Sequence, residues 1–223
     1  MEHELAHDLT LKAPFCLQCI GPSKIGKSTL ILKLITSDAI QPSPCEIIYF
    51  FKEYNSNFDN YPQIKFVQNF DPYYISKEFT KDKKHTLVVF DDLTQTLLKS
   101  PVLGLCWSVL GHHRNLSCIN IQQNAYPPGL ISSTTLARNS DYKIIFKNNS
   151  DILQTLLLGR SMFPGQSKYW KEVVDSCLKK PHDYIFLDLH KTTPDCLRVR
   201  NSCFPEIGVA CYVPTEKKVA EEI

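Results

Sequence analysis

The sequence has no apolar run approaching the ~20 residues that a bilayer-spanning helix requires, so a membrane span is not expected. It also lacks a basic and then apolar leader. Its first residues, MEHELAHDLT, are polar and partly acidic, which is not the pattern of a secretory signal. Neither sign of charge dominates, with 25 Lys and Arg against 23 Asp and Glu and a net charge of +2. A nucleic-acid partner is therefore neither demanded nor excluded, and electrostatic binding by a single subunit should be modest. The nine cysteines are odd in number and scattered, which argues against a disulfide framework and for a reducing compartment. No internal repeat, low-complexity tract or linker divides the chain. The length of 223 residues, 43% of them hydrophobic, suffices for a sizeable core. Residues 1–223 read as a single domain, with a core over about 13–150 and an extension over about 151–223.

What is present is an alternation of apolar runs and helical stretches. APFCLQCIG (Ala13–Gly21) reads as a buried strand and KSTLILKLITS after it as a helix. CEIIYFF (Cys45–Phe51), HTLVVFDDL (His85–Leu93), SCINIQ (Ser117–Gln122) and YKIIF (Tyr142–Phe146) complete five strands. IKFV (Ile64–Val67) is a short extra candidate, and an apolar helical span is expected around Val102–Leu110. Continuously apolar strands separated by crossovers indicate an α/β fold with a mainly parallel sheet, flanked by helices. After FKNNSD the pattern changes: YIFLDLH and CLRVRN flank KTTPD, which predicts a C-terminal β-hairpin.

GPSKIGKS, Gly21 to Ser28, matches G-x-x-x-x-G-K-[ST] in full and stands between an apolar strand and a helix. Its glycines allow backbone N–H groups to curl around phosphates, and the helix N-terminus adds a favourable field. Gly21, Pro22, Ser23, Lys24, Ile25, Gly26, Lys27, Ser28 and Thr29 are the candidate nucleotide-binding residues. Lys27 suits the β- and γ-phosphates, and Ser28 suits Mg²⁺. LVVFDDL supplies the acidic half of such a site, with Asp91 and Asp92 at the C-terminal end of a buried strand, where α/β ligand sites form. Asp91 suits Mg²⁺, and Asp92 suits orienting or deprotonating an attacking water. The adjacent second acid fits hydrolysis better than transfer to a small acceptor.

The densest polar segment is HHRNLSCINIQQN, His112 to Asn124. Its strand follows the acidic one, so its C-terminal end should lie beside the phosphate loop, where Gln122 or Gln123 can sense the γ-phosphate. Arg114, at the other end of that strand, faces away from its own nucleotide in a regular sheet, which suits action on a neighbouring subunit. His112 and His113 lack a third ligand with metal-binding spacing. Cys16 and Cys19 form a lone C-x-x-C inside a strand and read as core thiols, and Trp107 and Trp170 read as packing residues.

The order GPSKIGKS, VVFDDL, HHRNLSCINIQQN, NSDYKIIFKNNSD, LGRSMFPG, KPHDYIFLDLHKTTPDCLRVRN resembles the genome-packaging ATPases of the FtsK–HerA superfamily. The likeness is greatest to those of Maverick/Polinton elements, adintoviruses and virophages, with the poxvirus-type ATPase more distant. It spans about Phe15 to Phe204. The resemblance implies a P-loop NTPase fold of the additional-strand type, strand order 5-1-4-3-2. It implies a pentameric or hexameric homo-oligomeric ring that uses ATP and Mg²⁺ to drive double-stranded DNA into a capsid. A capsid or portal-vertex protein is then a partner, and the setting is the interior of an infected host. Carried over by motif, Lys27 and Ser28 bind phosphate and metal, Asp91 holds the metal, Asp92 is the catalytic carboxylate and Gln123 the polar sensor. Arg114 corresponds to the arginine finger, with Arg138 and Arg160 also in family-like segments. Two positions depart from the pattern: Asp92 stands where Glu is usual, and Lys24-Ile25 where small residues are usual. A P-loop nucleotide or nucleoside kinase and a catalytically silent module derived from a mobile element remain alternative readings.

Overall fold

In the computed structural model residues 8–71, 84–93, 107, 115–124, 136 and 138–214 are described. The elements run β1 (Leu11–Lys12), β2 (Cys16–Ile20), α1 (Lys27–Ile35), β3 (Ile40–Gln41), β4 (Glu46–Phe51) and β5 (Lys65–Gln68). They continue with β6 (Thr86–Asp91), β7 (Leu116–Gln122), β8 (Tyr142–Phe146), α2 (Ile152–Met162), α3 (Ser167–Cys177), β9 (Tyr184–Asp188) and β10 (Val199–Arg200). Apart from Trp107, the helical span expected at residues 102–110 lies outside the described residues.

One sheet carries the fold, in the order β10-β9-β8-β2-β7-β6-β4-β5. Its five central strands, β8-β2-β7-β6-β4, are mutually parallel and reproduce the order 5-1-4-3-2. These strands are apolar on both sides because helices cover both faces, as parallel sheets require. The extra run forms β5, parallel to β4. The C-terminal hairpin is present as well: β9 lies antiparallel to β8, and β10 antiparallel to β9. The short parallel pair β1 and β3 was not expected, since two residues per strand are too few to show a period. Nor were α2 and α3, although α3 carries a legible stripe: Trp170, Val173, Val174 and Cys177 are buried at i, i+3, i+4 and i+7. Among the described residues no helix is long and apolar enough to cross a membrane.

Helix α1 buries Ile31, Leu32, Leu34 and Ile35 against one face of the sheet, on Leu17, Cys19, Val89 and Ile119. Helices α2 and α3 cover part of the opposite face, where Leu158, Trp170 and Val173 meet Ile20, Ile145 and Ile185. Gly159 makes this approach possible, since a Cβ there would stand 2.0 Å from the Trp170 ring. The indole N–H of Trp170 donates to the Thr155 carbonyl at 2.9 Å, and Trp107 is buried likewise, so both tryptophans serve packing. Cys16 and Cys19 lie three apart on one strand and face opposite sides of the sheet, in two different core clusters. The sheet therefore separates the two thiols.

A buried ion pair joins the two strands of the hairpin, and the same arginine ties it to the N-terminal segment. Arg200, 1% exposed, donates to Asp188 and to the Leu9 carbonyl, and its guanidinium lies 4.7 Å from the centre of the Phe186 ring. Asp188 also accepts from Thr193 and from the His190 backbone. Replacing one partner of such a pair strands the other charge away from water, a loss of about 3–5 kcal/mol. Arg200→Ala is accordingly expected to lower the unfolding midpoint in urea by an amount corresponding to that range. A change below about 1 kcal/mol would mean that β9 and β10 are held by packing alone.

Candidate active site

The phosphate loop follows β2 directly, and its shape is set by the sheet edge beneath it. Gly21 has no room for a side chain, since a Cβ would sit 2.7 Å from the Phe146 Cβ on β8. Its N–H donates to the Gln122 carbonyl at 3.2 Å, which ties the loop to the end of β7. Lys24 takes φ 63° and Gly26 takes φ 94° as the residue capping α1, both in the left-handed region. The two bulky loop residues are accommodated in opposite directions: Ile25 packs against the core cluster, and Lys24 is exposed on the cleft.

Lys27, the first residue of α1, is 9% exposed and folds back onto the loop, donating to the Gly21 carbonyl at 2.8 Å and the Pro22 carbonyl at 2.7 Å. Burial pushes its pKa down, while the charges of Asp91 and Asp92, and Cys19, act the other way. The ammonium is thus held in the loop by weak acceptors that a phosphate can replace. Ser28 Oγ donates to Asp91 Oδ2 at 2.7 Å, and the Tyr49 hydroxyl donates to the same oxygen at 2.7 Å. Burial pushes the Asp91 carboxyl above its usual range; the two hydrogen bonds and Lys27 oppose that shift, and Asp92 adds to it.

Strand register brings these groups together. Asp91 at the end of β6 lies opposite Phe51 on β4 and Ile121 on β7, so the C-terminal ends of three strands meet at one edge. Asp92 follows with φ 54°, a left-handed conformation that Asp tolerates better than most residues. Its Oδ1 accepts from Gln123 Nε2 at 3.2 Å. The two glutamines are placed differently: Gln122 is 2% exposed and accepts from Asn120 Nδ2 at 2.7 Å, while Gln123 lies past the strand end and faces the cleft. The cleft has a volume of about 500 Å³ and is lined by Lys27, Ser28, Asp91, Asp92 and Gln123 on one side. On the other stand Lys52, Glu53, Tyr54 and Asn55, which follow β4.

Ser28 and Asp91 present a hydroxyl and a carboxylate oxygen to one point. Such hard oxygen donors, few in number and leaving room for water and phosphate oxygens, fit Mg²⁺. Tyr49, Glu53 and His182 are site neighbours that the motifs do not flag. Tyr49 is buried in β4 and reaches Asp91 only across the strand pairing, and His182 Nδ1 donates to the Ile25 carbonyl at 2.9 Å. Of the candidate arginines, Arg114 lies outside the described residues. Arg138 lines a separate cleft of about 540 Å³ with Ala13, Phe15, Asp141 and His190, at the opposite edge of the sheet. Arg160 is exposed near the end of α2.

A five-strand parallel core in the order 5-1-4-3-2, with a phosphate loop after the first strand and an acidic pair after the third, is the additional-strand P-loop NTPase fold. Solved structures share it. The DNA-packaging ATPase B204 from Sulfolobus turreted icosahedral virus matches over 92% of this chain and 100% of its own, with a TM-score of 0.55 and 11% identity. The genome-packaging NTPase B204 of Sulfolobus turreted icosahedral virus 2 in complex with AMPPCP matches over 90% and 98%, with a TM-score of 0.54 and 14% identity. The same protein in complex with sulfate matches over 91% and 98%, with a TM-score of 0.52 and 15% identity. No family model matches the chain, and no curated protein matches it.

Proposed function

We propose that this chain is an ATP-hydrolysing motor that moves double-stranded DNA into a viral capsid as a homo-oligomeric ring, akin to the packaging ATPases of Maverick/Polinton elements, adintoviruses and virophages. The observation that carries the reading is the meeting of Lys27, Ser28, Asp91, Asp92 and Gln123 at one sheet edge, over a cleft large enough for a triphosphate. The DNA- and genome-packaging ATPases that share the fold over almost their whole length support the DNA part of the reading, and delivery into a capsid is the proposal's further step.

In this reading Lys27 leaves the Gly21 and Pro22 carbonyls for the β- and γ-phosphates, exchanging two neutral acceptors for charged ones. Ser28 and Asp91 hold Mg²⁺, which supplies charge neutralisation at the phosphates. Asp92 takes the proton of the attacking water, and Gln123, bonded to Asp92, fixes where that water stands. The raised Asp91 carboxyl stays within a hydrogen-bonded cage of Ser28 and Tyr49, so its oxygen is aimed before a ligand arrives.

The test is ATP turnover with and without double-stranded DNA, wild type beside Lys27→Ala. The wild type is expected to release phosphate faster with DNA, and the variant to be inactive, to bind Mg-ATP weakly and to keep the wild-type circular dichroism. Transfer of phosphate to a small acceptor without DNA stimulation would replace the motor with a nucleotide kinase. Unchanged turnover in Lys27→Ala would remove the phosphate-loop assignment.

A further inference from the structure

The catalytic groups give the triphosphate a direction along the sheet. Asp92 and Gln123 follow β6 and β7, so the γ-phosphate end belongs on that side of the phosphate loop. In the strand order, β8 and β9 lie on the other side of β2. A nucleotide with its γ-phosphate toward Asp92 therefore runs its nucleoside toward β8 and β9. His182 stands there, two residues before β9, with its ring nitrogen on the loop carbonyl of Ile25.

The loop that carries His182 is built to hold it. Asp183 Oδ2 accepts the Lys180 N–H at 2.6 Å, and the Asp183 N–H donates back to the Lys180 carbonyl at 3.3 Å. Lys147, the residue after β8, donates from its backbone to the Asp183 carbonyl and from Nζ to the Lys179 carbonyl. His182 itself takes φ 70°, a region that favours glycine. Such conformations persist where the surroundings impose them and gather at ligand sites. The fit to the phosphate loop is close: a Cβ at Gly26 would stand 3.3 Å from His182 Nδ1. The residue remains exposed. Because Nδ1 is the donor to Ile25, the neutral ring keeps Nε2 as an acceptor.

We infer that the Lys180–Asp183 loop is the nucleoside subsite of this protein, with the His182 imidazole packed against the base of a bound nucleoside triphosphate. The inference rests on the ATPase reading, and it assigns the C-terminal extension a direct part in nucleotide binding. A base stacks on an aromatic ring through its π-face whichever base it is, so the subsite adds affinity with little base selectivity.

The experiment compares ATP with inorganic tripolyphosphate, both with Mg²⁺, on the full chain carrying His182→Asn. Asparagine accepts a positive φ and offers an N–H to Ile25, so the backbone is kept and only the ring is lost. The dissociation constant for ATP is expected to rise about tenfold, in line with the loss of one base–aromatic stack, while that for tripolyphosphate stays within twofold. Equal weakening of both ligands would show His182 to be a brace of the phosphate loop and overturn the subsite. An unchanged ATP affinity would overturn it too. A wild-type chain that binds neither ligand would instead overturn the ATPase reading on which it stands.

Discussion

Asp92→Asn is expected to bind ATP as the wild type does and to hydrolyse it about 10²–10⁴-fold more slowly, the loss that goes with removing a general base. The substitution is unusually clean at this position. Asp92 has φ 54°, and asparagine is among the few residues that adopt the left-handed region readily, so the strand end keeps its path. The amide retains an oxygen where Oδ1 accepts from Gln123 Nε2, so Gln123 keeps its place as well. What disappears is the negative charge and the capacity to accept a proton from water. Alanine would confound the test by adding backbone strain. Quenched-flow measurement of phosphate release, with ATP binding followed separately, checks the expectation. Hydrolysis at the wild-type rate would move the role to another carboxylate of the cleft, and Glu53, which lines the same cleft beyond β4, is the group in reach.

That alternative illustrates where sequence reading stops. Lys27, Ser28, Asp91 and Asp92 were legible because each lies within a contiguous motif at the end of an apolar strand, and the parallel sheet then brings those ends together. The five central strands and their parallel sheet were legible from the same runs, whose burial leaves them largely apolar, whereas their order came from the family resemblance and not from any local pattern. Tyr49 and Glu53 were not legible. Each joins the site through the pairing of β4 with β6, a register that no local pattern encodes. His182 reaches Ile25 across 157 positions of sequence through a loop whose shape depends on Lys147 and Asp183. Gln122 and Gln123 part for a simple physical reason: the last strand residue is buried with β7, and the next one lies past it and is exposed. Helix α2 escaped because its exposed face carries Ile152, Leu153 and Leu157, which blurs the contrast that marks an amphipathic helix.

The largest effect is expected for Arg114→Ala, with normal ATP binding and turnover reduced about 10³–10⁵-fold, the range associated with an arginine that stabilises transition-state charge. Strand β7 begins at Leu116 and ends at Gln122, a span of about 20 Å. Gln123 is at the catalytic edge and β7 begins at the far one, so on the proposed ring an arginine that precedes β7 in sequence would serve a neighbouring copy's nucleotide rather than its own. The proposal makes each active site a composite: phosphate loop, Asp91, Asp92 and Gln123 from one subunit, and the arginine from the next. Mixing Arg114→Ala with Asp92→Asn tests this directly. A subunit of the first kind has an intact carboxylate and lacks only what its neighbour supplies, and a subunit of the second kind supplies it. Within mixed rings some sites are therefore complete, and ATP turnover of the mixture should exceed that of either variant alone. The gain should vanish when both substitutions are carried on every chain. A mixture no more active than its parts, in rings shown by light scattering and label exchange to have traded subunits, would rule out Arg114 as the finger. The exposed guanidinium of Arg160 on α2, and then Arg138 at the far cleft, would take its place in the same experiment.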